Sequence, residues 1–429
     1  MKKIKSILLF IIFLCAALLT KPQGLESPDI ISVEKKQEIV TKLKGLNLDL
    51  LLEWNGRIYI IARVNDFIQL QKQNIPFRLE TAKFYPFNQR VLSTGGGING
   101  EYHSYQELEV ELKALEKAYP QIARLYDIGD SLEKRQIYAL KISDNVGLDE
   151  EEAEILFMGC HHAREWITVE IPFLLAKYLV ENYEKNSQVK SLVDRSEIWV
   201  VPLVNPDGLE YSIQVYRFWR KNRRANSDGT YGVDINRNYS AKWGYDNLGS
   251  SPDPGLEIYR GQAPFSEPET KAIRNLFLQK NFQAMISYHS FSQTIMYPWG
   301  YSLEPTTKDK ELREIAARMS ELIQAVNGRK YEYGQAGTLL YITNGDATDW
   351  TFETSAIPSF TIELPPVDMI HGGFFNAEED IQSIFNENLP AMLYLIDYSC
   401  QHLKSKDTSL KERVRNFPFV PKVRRETKD

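Results

Sequence analysis

Three residues of this chain carry side chains that together could hold one zinc ion. His162 and Glu165 stand three positions apart in the sequence His-Ala-Arg-Glu, and His289 follows much later, in the sequence Ser-Tyr-His-Ser. A catalytic zinc ion takes three protein ligands and keeps its fourth position open for water or substrate, whereas a structural zinc site is closed by four protein ligands. His162 and Glu165 can converge from one short loop, but the fold has to bring His289 to them. The set predicts a catalytic centre with one zinc ion per chain.

Taken alone, a histidine followed three positions later by a glutamate also describes a surface histidine beside a helix N-terminus, so the neighbouring motifs have to decide. The motifs are His162–Trp166, Phe218–Arg223, Gly232–Asn238, Phe265–Glu269, Ser287–Ser290, Tyr341 with Asp349 and Trp350, and Phe360–Glu363. In order and spacing they resemble the zinc metallocarboxypeptidases of the pancreatic carboxypeptidase A/B type and their secreted bacterial relatives. The resemblance extends over residues 98–400 and favours the catalytic reading of the metal ligands.

The resemblance implies catalytic roles for two charged residues. Glu363 would be the general base that takes a proton from the attacking water and later delivers it to the leaving amine. Arg223 would polarise the scissile carbonyl and stabilise the oxyanion. Asp234 is the carboxylate expected to orient His162 through the second ring nitrogen, a common arrangement around metal sites. The plain alternatives are an exposed glutamate at a strand end and an aspartate in a turn. His161 is expected to be a structural histidine or one that contacts a ligand, but not a ligand itself.

An exopeptidase also needs a group that binds the terminal carboxylate of its substrate. The resemblance places Arg237 there, preceded by Asn236, and a guanidinium can hold a carboxylate through two parallel hydrogen bonds. Tyr341 would add a hydrogen bond from a loop rich in small residues. Arg164 and Arg220 are expected to contact the substrate farther from the scissile bond, although an exposed arginine is often simply solvated.

Two residues are candidates for the pocket that selects the side chain to be removed. The resemblance places Thr348 at the base of this pocket, where an aspartate selects basic side chains and an apolar residue selects aromatic or aliphatic ones. Asp346 would lie on the wall, and the alternative is that it only occupies a turn after Gly345. We therefore expect broad specificity, with hydrophobic residues preferred and basic residues cleaved more slowly.

Composition and charge exclude some partners. The 429 residues are 43% hydrophobic and 25% charged, as in ordinary soluble proteins, and the net charge is −6. An acidic chain has no general basic field, so nucleic acid is not an expected partner. The basic run of residues 217–224 could be a solvated charge run, but its place between two site motifs favours anion recognition in a cleft.

The N-terminus has the pattern of a secretory signal peptide. Three lysines precede the apolar run Ile7–Leu19, which is too short to span a bilayer comfortably. We assign residues 1–23 to the signal and expect a secreted or periplasmic protein with no membrane association in its mature form. Cys15 could instead carry a lipid, although the residue before it is not small. The remaining Cys160 and Cys400 are too few for a disulfide framework, and Cys160 is expected to be a small buried hydrophobe.

Residues 24–97 form a separate candidate domain. Their pattern predicts helices over Lys35–Leu48 and Val64–Gln73 and strands over Arg57–Ala62 and Phe77–Leu79. This alternation indicates a small α/β domain, and the resemblance implies that it is a propeptide, followed by a linker over Thr81–Gly100 in which an activating protease could cut near Arg90. A permanent N-terminal domain is the alternative.

Residues 98–403 are predicted to form the enzyme domain. Strands are expected over Ala153–Cys160, Glu197–Val204, Ala284–His289 and Ser359–Glu363, and helices over Tyr105–Tyr119, Trp166–Tyr183, Lys308–Asn327 and Asn376–Gln401. Their alternation predicts an α/β fold with a mixed, largely parallel sheet covered by helices on both faces. The site motifs then fall at the carboxyl ends of strands, where such sheets bind ligands. Ser266 and Glu269 are predicted to form a capping box for a helix that reaches Lys280.

The complete pattern is most consistent with a secreted zinc carboxypeptidase that is made as a precursor, acts as a monomer and removes single L-amino acids from peptide C-termini. A murein-peptide hydrolase on the same scaffold is an alternative, as is an inactive module that binds zinc or peptide. Residues 404–429 form a charged C-terminal extension, either disordered or a removable sorting segment.

Overall fold

The structure is a computed structural model, and it describes two long stretches of the chain. These are residues 29–80, apart from 44, 45, 47, 55 and 63, and residues 99–403, apart from 369 and 370, together with residues 422–423. The chain divides into two compact units, Met1–Pro86 and Phe87–Asp429. The signal peptide with Cys15, the proposed cleavage point at Arg90 and nearly all of the C-terminal extension lie outside the described residues. Among the helices described, none is long and apolar enough to cross a membrane.

The first unit is a four-stranded antiparallel sheet with two helices. Its strands are β1 (Asp29–Glu34), β2 (Asp49–Trp54), β3 (Arg57–Ala62) and β4 (Phe77–Leu79), and its helices are α1 (Gln37–Leu43) and α2 (Val64–Lys72). The strand order is β2-β3-β1-β4. Ile31, Ile60 and Leu70 are fully buried in its core. The sequence pattern predicted β3 and β4 with these bounds but missed β1 and β2, because short apolar runs do not separate strand from helix by periodicity.

The second unit is built on one mixed sheet. Its strands are β5 (Ala123–Asp130), β6 (Gln136–Ile142), β7 (Ala153–Met158), β8 (Ser196–Val201), β9 (Phe282–Ser290), β10 (Thr294–Tyr297), β11 (Glu332–Gln335), β12 (Ser359–Leu364) and β13 (Lys422–Val423). The strand order is β11-β10-β12-β9-β7-β8-β6-β5-β13. The central strands β12, β9, β7 and β8 run parallel, while β6 pairs antiparallel with β8 and with β5. The predicted mixed sheet with a parallel centre is confirmed.

Helices cover both faces of this sheet. They are α3 (Tyr105–Ala118), α4 (Ile167–Asn182), α5 (Ser187–Val193), α6 (Pro206–Gln214), α7 (Pro268–Gln279), α8 (Asp309–Asn327), α9 (Ala336–Leu339), α10 (Ala347–Ser355) and α11 (Asp380–Gln401). Successive side chains of a strand point to opposite faces. On β7, Phe157 joins the core beneath α4, α8 and α11, whereas Leu156 joins a second core with α7 and α10. The burial of both faces explains why β7 is apolar at nearly every position.

The start of α7 corrects one local prediction. Ser266 and Glu269 do not form a capping box, because the helix begins at Pro268 and Glu267 occupies the N-cap position without a side-chain cap bond. The hydroxyl of Ser266 donates to Glu267 at 2.7 Å, and Glu269 is buried beside Asn222. A proline at the first helical position fixes the entry of the chain by itself, since its φ is already helical.

Candidate active site

The three predicted metal ligands converge in the structure. His162 Nδ1 lies 2.8 Å from Glu165 Oε1, and His289 Nδ1 lies 3.1 Å from both His162 Nδ1 and Glu165 Oε2. All three side chains are buried. Among the described residues three groups of side chains could hold a metal ion, and this group is the one in which every member is buried. Two imidazoles and one carboxylate are the donor set of a catalytic zinc site.

The sheet brings these residues together at one edge. His162 and Glu165 lie in the loop between β7 and α4, and His289 is the penultimate residue of β9, the parallel neighbour of β7. Glu363 is the penultimate residue of β12 and is paired with His289 in the register of β9 and β12. Because the parallel strands end at the same edge, all four side chains share one site.

The electrostatic environment suits a divalent cation. Burial raises the pKa of Glu165, but His162 and His289 bring it below its ordinary value. Burial lowers the pKa of His289, which favours the neutral imidazole that binds metals. The ligand atoms therefore converge as one ionised carboxylate and two imidazoles, of which His289 is favoured in its neutral form. This arrangement fits a zinc ion.

Asp234 contacts both a metal ligand and an arginine. His162 Nε2 lies 3.3 Å from Asp234 Oδ1, as the sequence predicted. The other carboxylate oxygen accepts hydrogen bonds from Arg220 Nε and Nη2 at 3.0 and 2.8 Å. Burial raises the pKa of Asp234, but Arg220 and His162 hold it well below its ordinary value. The aspartate is therefore an ionised group in contact with His162.

Glu363 has the environment expected of a general base. Its side chain lines the same cavity as His162 and His289, and the residue is 9% exposed. Burial raises the pKa of Glu363 well above its ordinary value, and the charge of Glu165 adds to this effect. Arg220 and Arg164 act in the opposite direction. A carboxylate whose pKa is raised by burial is a stronger base than an exposed one, as a general base requires.

The structure does not bring Arg223 to this site. Its guanidinium lies 3.6 Å over the ring of Tyr211 and 4.9 Å from the rings of Trp219 and Tyr231, and its Nε is 3.9 Å from Glu133. The stacking on these aromatic rings and the nearby carboxylate hold this cation among residues that do not line the cavity. The expected oxyanion role of Arg223 is thus contradicted by its position.

Arg220 is the arginine of this motif that lies beside the metal ligands. Its side chain is buried and held by Asp234. Burial lowers the pKa of Arg220, but Asp234, Tyr341 and Glu165 raise it above its ordinary value. The sequence assigned Arg220 to a more distant substrate contact. Its burial among acidic groups places it nearer to the reacting atoms than predicted.

The predicted carboxylate clamp lies in the cavity wall. Asn236, Arg237 and Tyr341 all line the cavity, which encloses about 460 Å³ including its open mouth. Arg237 sits in a 3-10 turn, where Nε donates to the carbonyl of Gly249 at 2.8 Å and Nη1 donates to the carbonyl of Asn236 at 2.7 Å. These two bonds fix the plane of the guanidinium. Tyr341 is 49% exposed, so its ring lies at the mouth.

Arg164 lies in the loop of the metal ligands but packs away from the cavity wall. Its guanidinium lies 4.3 Å over the ring of Phe374, and the residue is buried. Its charge lowers the pKa of Glu363, so it remains within electrostatic range of the site.

Asp346 and Thr348 both line the cavity, and Asp346 is also the N-cap of α10. Its Oδ1 accepts the backbone N–H of Asp349 at 2.8 Å, and its Oδ2 accepts the hydroxyl of Thr343 at 2.8 Å. Thr348 is hydrogen-bonded to the hydroxyl of Thr361 at 2.7 Å. Asp346 therefore makes local hydrogen bonds and also lines the cavity, so the two alternatives for this residue are compatible.

Six cavity residues were not predicted as site residues from the sequence, and Met296, Asp349 and Thr361 are three of them. Asp349 accepts backbone N–H groups of Gly300 and Tyr301, and burial together with Asp346 raises its pKa well above the ordinary value. Thr361 could have been found, because it precedes Glu363 by two positions on β12 and so shares its face of the strand. Met296 carries no comparable signal, since it comes from the neighbouring strand β10.

Comparison with known proteins agrees with this geometry. A family model described as zinc carboxypeptidase matches residues 108–391. The chain is 32% identical to rat carboxypeptidase A1 over 356 residues, which cover 82% of this chain and 81% of the relative. It is 32% identical to human carboxypeptidase B over 321 residues, which cover 74% and 75% of the two chains.

A solved structure extends the likeness to the fold. The crystal structure of thrombin activatable fibrinolysis inhibitor superposes with a TM-score of 0.74 at 25% identity, covering 88% of this chain and all of the other. The chain belongs to the zinc carboxypeptidase family, and it is a metallocarboxypeptidase that hydrolyses peptides at the C-terminus.

Proposed function

We propose that this enzyme removes single L-amino acids from peptide C-termini, with Glu363 as the general base. The proposal rests on the residues that line one cavity. His162, His289 and Glu363 lie at one part of it, and Arg237 lies at another part of the same cavity. When Arg237 binds the terminal carboxylate of a peptide, the last peptide bond lies toward the metal ligands. Cleavage at this bond releases one amino acid.

His162, Glu165 and His289 would hold one zinc ion. When bound, zinc lowers the pKa of its water from about 15.7 to roughly 7 and polarises a carbonyl oxygen. Glu363 takes the proton of the attacking water, and its raised pKa lets it pass that proton to the leaving amine. The same carboxylate therefore acts first as a base and then as an acid.

Arg220 takes over the role that the sequence gave to Arg223. Its hydrogen bonds to Asp234 involve Nε and Nη2, so Nη1 remains the nitrogen best placed to donate toward a developing oxyanion. A donor of this kind contributes roughly 2.7 to 4 kcal/mol in other hydrolases. Arg164, which packs on Phe374, would act on Glu363 through its charge and would not contact the scissile bond.

The terminal carboxylate is bound by Arg237, with Asn236 and Tyr341 beside it. The guanidinium is already oriented by two backbone carbonyls, so little side-chain entropy is lost when substrate binds. Tyr341 contributes from the mouth of the cavity and can close over the substrate. The pairing of a planar cation with a carboxylate restricts the enzyme to free C-termini.

The pocket beyond the clamp would accept more than one class of side chain. Met296 and Leu340 supply apolar surface, while Asp346 supplies a carboxylate. We propose that hydrophobic residues are preferred and that Lys or Arg is accepted more slowly through pairing with Asp346. Thr348, at the base of the pocket, is neither charged nor large and apolar, so it selects neither basic nor hydrophobic side chains.

We also propose that the protein is exported and made as a precursor, and that the mature enzyme is a monomer. Support for export is the basic and apolar pattern of the N-terminus. Support for a precursor is the separate first unit and the likeness, over 88% of this chain, to a protein whose name describes it as activatable by thrombin.

The decisive experiment uses matched peptides with a free or an amidated C-terminus, analysed by mass spectrometry. The wild-type enzyme should release one residue at a time from the free form and leave the amidated form intact. Glu363→Gln should lose about 10²-fold or more of the rate while retaining its zinc by elemental analysis. Wild-type cleavage of the amidated form at the same rate, or an unchanged rate for Glu363→Gln, would refute the proposal.

A further inference from the structure

A row of hydrogen bonds runs from the metal ligand His289 into the interior of the protein. His289 Nε2 lies 3.1 Å from the hydroxyl of Ser287, and this hydroxyl lies 3.2 Å from His161 Nδ1. His161 Nε2 lies 2.9 Å from the hydroxyl of Tyr239. The four residues are at most 1% exposed. Water therefore does not replace these contacts, and each polar atom depends on its neighbour in the row.

The local structure explains why these side chains meet. Ser287 and His289 are two positions apart on β9 and so point to the same face of the sheet. Cys160 adopts a left-handed conformation with φ of 53°, which turns the chain between β7 and the metal loop. This turn directs His161 to the sheet and His162 to the metal position. The His161 ring stacks on the His289 ring at 5.6 Å with an interplanar angle of 21°.

We propose that Ser287 and His161 are positioning residues that fix the tautomer and the ring orientation of His289 for zinc binding. The inference rests on the zinc centre proposed above. When His289 Nδ1 is a ligand, its hydrogen must be on Nε2 and is donated to the Ser287 oxygen. The Ser287 hydroxyl then donates to His161 Nδ1, and His161 Nε2–H donates to the oxygen of Tyr239. Each group in this arrangement has one donor and one acceptor.

The opposite arrangement does not allow metal binding. If Tyr239 donated to His161, His161 would donate to Ser287, and Ser287 would donate to His289 Nε2. The hydrogen of His289 would then be on Nδ1, where it faces His162 and Glu165. Asn236 Nδ2 is 3.4 Å from His289 Nε2, a longer contact than that of Ser287. Ser287 is therefore the partner that holds the productive tautomer.

The test measures zinc affinity by competition with a chromophoric chelator, on the purified chain at constant pH. Loss of a group that orients a metal ligand weakens metal binding by about 10 to 100-fold, and Ser287→Ala should do so. The pair His161→Leu and His161→Asn provides matched shapes, and only the Asn side chain can still accept the Ser287 hydroxyl. His161→Leu should bind zinc about tenfold more weakly than His161→Asn.

A double variant separates positioning from general damage to the core. If His161 acts through Ser287, Ser287→Ala combined with His161→Leu should bind zinc no more weakly than Ser287→Ala alone, because coupled effects do not add. Urea unfolding of the metal-free variants, prepared with a chelator, shows whether the variants compared are folded. Equal zinc affinity of the Leu and Asn variants, or full additivity in the double variant, overturns the inference. A wild type that binds no zinc would instead refute the proposed function.

Discussion

At the scale of single residues, the carboxylate of Asp234 contacts both the candidate metal ligand His162 and Arg220, the proposed oxyanion donor. One oxygen is 3.3 Å from the metal ligand His162, and the other accepts two hydrogen bonds from Arg220. A buried carboxylate with two cationic or ring partners has little freedom to move. The position of Arg220 is thus tied to that of His162, as the proposed role of Arg220 as an oxyanion donor requires.

This geometry predicts different effects for two arginines of one motif. Arg220→Ala should lower kcat by about 10² to 10³-fold, because it removes a donor to the oxyanion. Arg223→Ala should leave kcat within a few-fold of wild type, since this side chain stacks on Tyr211 and contacts no metal ligand. Both rates are measured on one short peptide.

Zinc content provides the control for this comparison, because Arg220→Ala also removes a partner of Asp234. The rates are compared only for samples reconstituted with a full zinc complement. A large loss in Arg223→Ala with a normal rate in Arg220→Ala would restore the assignment made from the sequence.

The convergence of His162, Glu165, His289 and Glu363 could be predicted because each lies at or just after the end of a strand. Asp234 is the N-cap residue of a 3-10 turn, and its contact with His162 was expected from its motif. The choice between Arg220 and Arg223 could not be predicted. Their motif is irregular in structure, so no helix or strand periodicity indicates which arginine points inward. The two arginines differ in their partners, which are Asp234 for Arg220 and Tyr211 for Arg223, and both partners lie outside the motif.

At the scale of elements, the parallel centre of the sheet was predictable because buried parallel strands are continuous apolar runs. The hairpin of β5 and β6 was missed, since these strands mix polar and apolar residues and begin with Ala123 and Gln136. Helix α11 begins at Asp380, four residues later than predicted. Boundaries of this kind depend on capping and on contacts with neighbours, which the periodicity of one segment does not contain.

The N-terminus of α10 holds a residue for which we propose two roles, helix capping and selection of the substrate side chain. Asp346 caps this helix and also lines the pocket. Asp346→Asn keeps an oxygen that can cap but removes the charge, so the ratio of kcat/KM for substrates ending in Lys or Arg over those ending in Phe or Leu should fall about tenfold or more. The four matched substrates are assayed in parallel.

Asp346→Ala separates the two roles of this residue. It should show the same loss of preference and, in addition, a free energy of unfolding lower than that of Asp346→Asn by about 1 kcal/mol, because alanine cannot cap. An unchanged ratio of basic to neutral substrates in both variants would remove Asp346 from the specificity pocket and leave it as a helix cap.

At the scale of the whole molecule, the chain contains two units with separate cores. The first unit has four short strands and two short helices around a small apolar core, and none of its described residues belongs to the metal group. The sequence predicted the existence of this unit from its own alternation of helix and strand.

We expect the chain with residues 25–90 attached to be much less active than the processed enzyme, because we propose that this segment is the inhibitory part of a precursor. Cleavage near Arg90 by a protease of trypsin-like specificity should release the activity. The measurement is kcat/KM on one short peptide before and after cleavage, with Arg90→Gln as the matched variant that resists cutting at this bond. If the intact chain and the cleaved enzyme hydrolyse the peptide at the same rate, the first unit is a permanent domain. If Arg90→Gln is activated as fast as wild type, another bond in the linker is the one that the protease cuts.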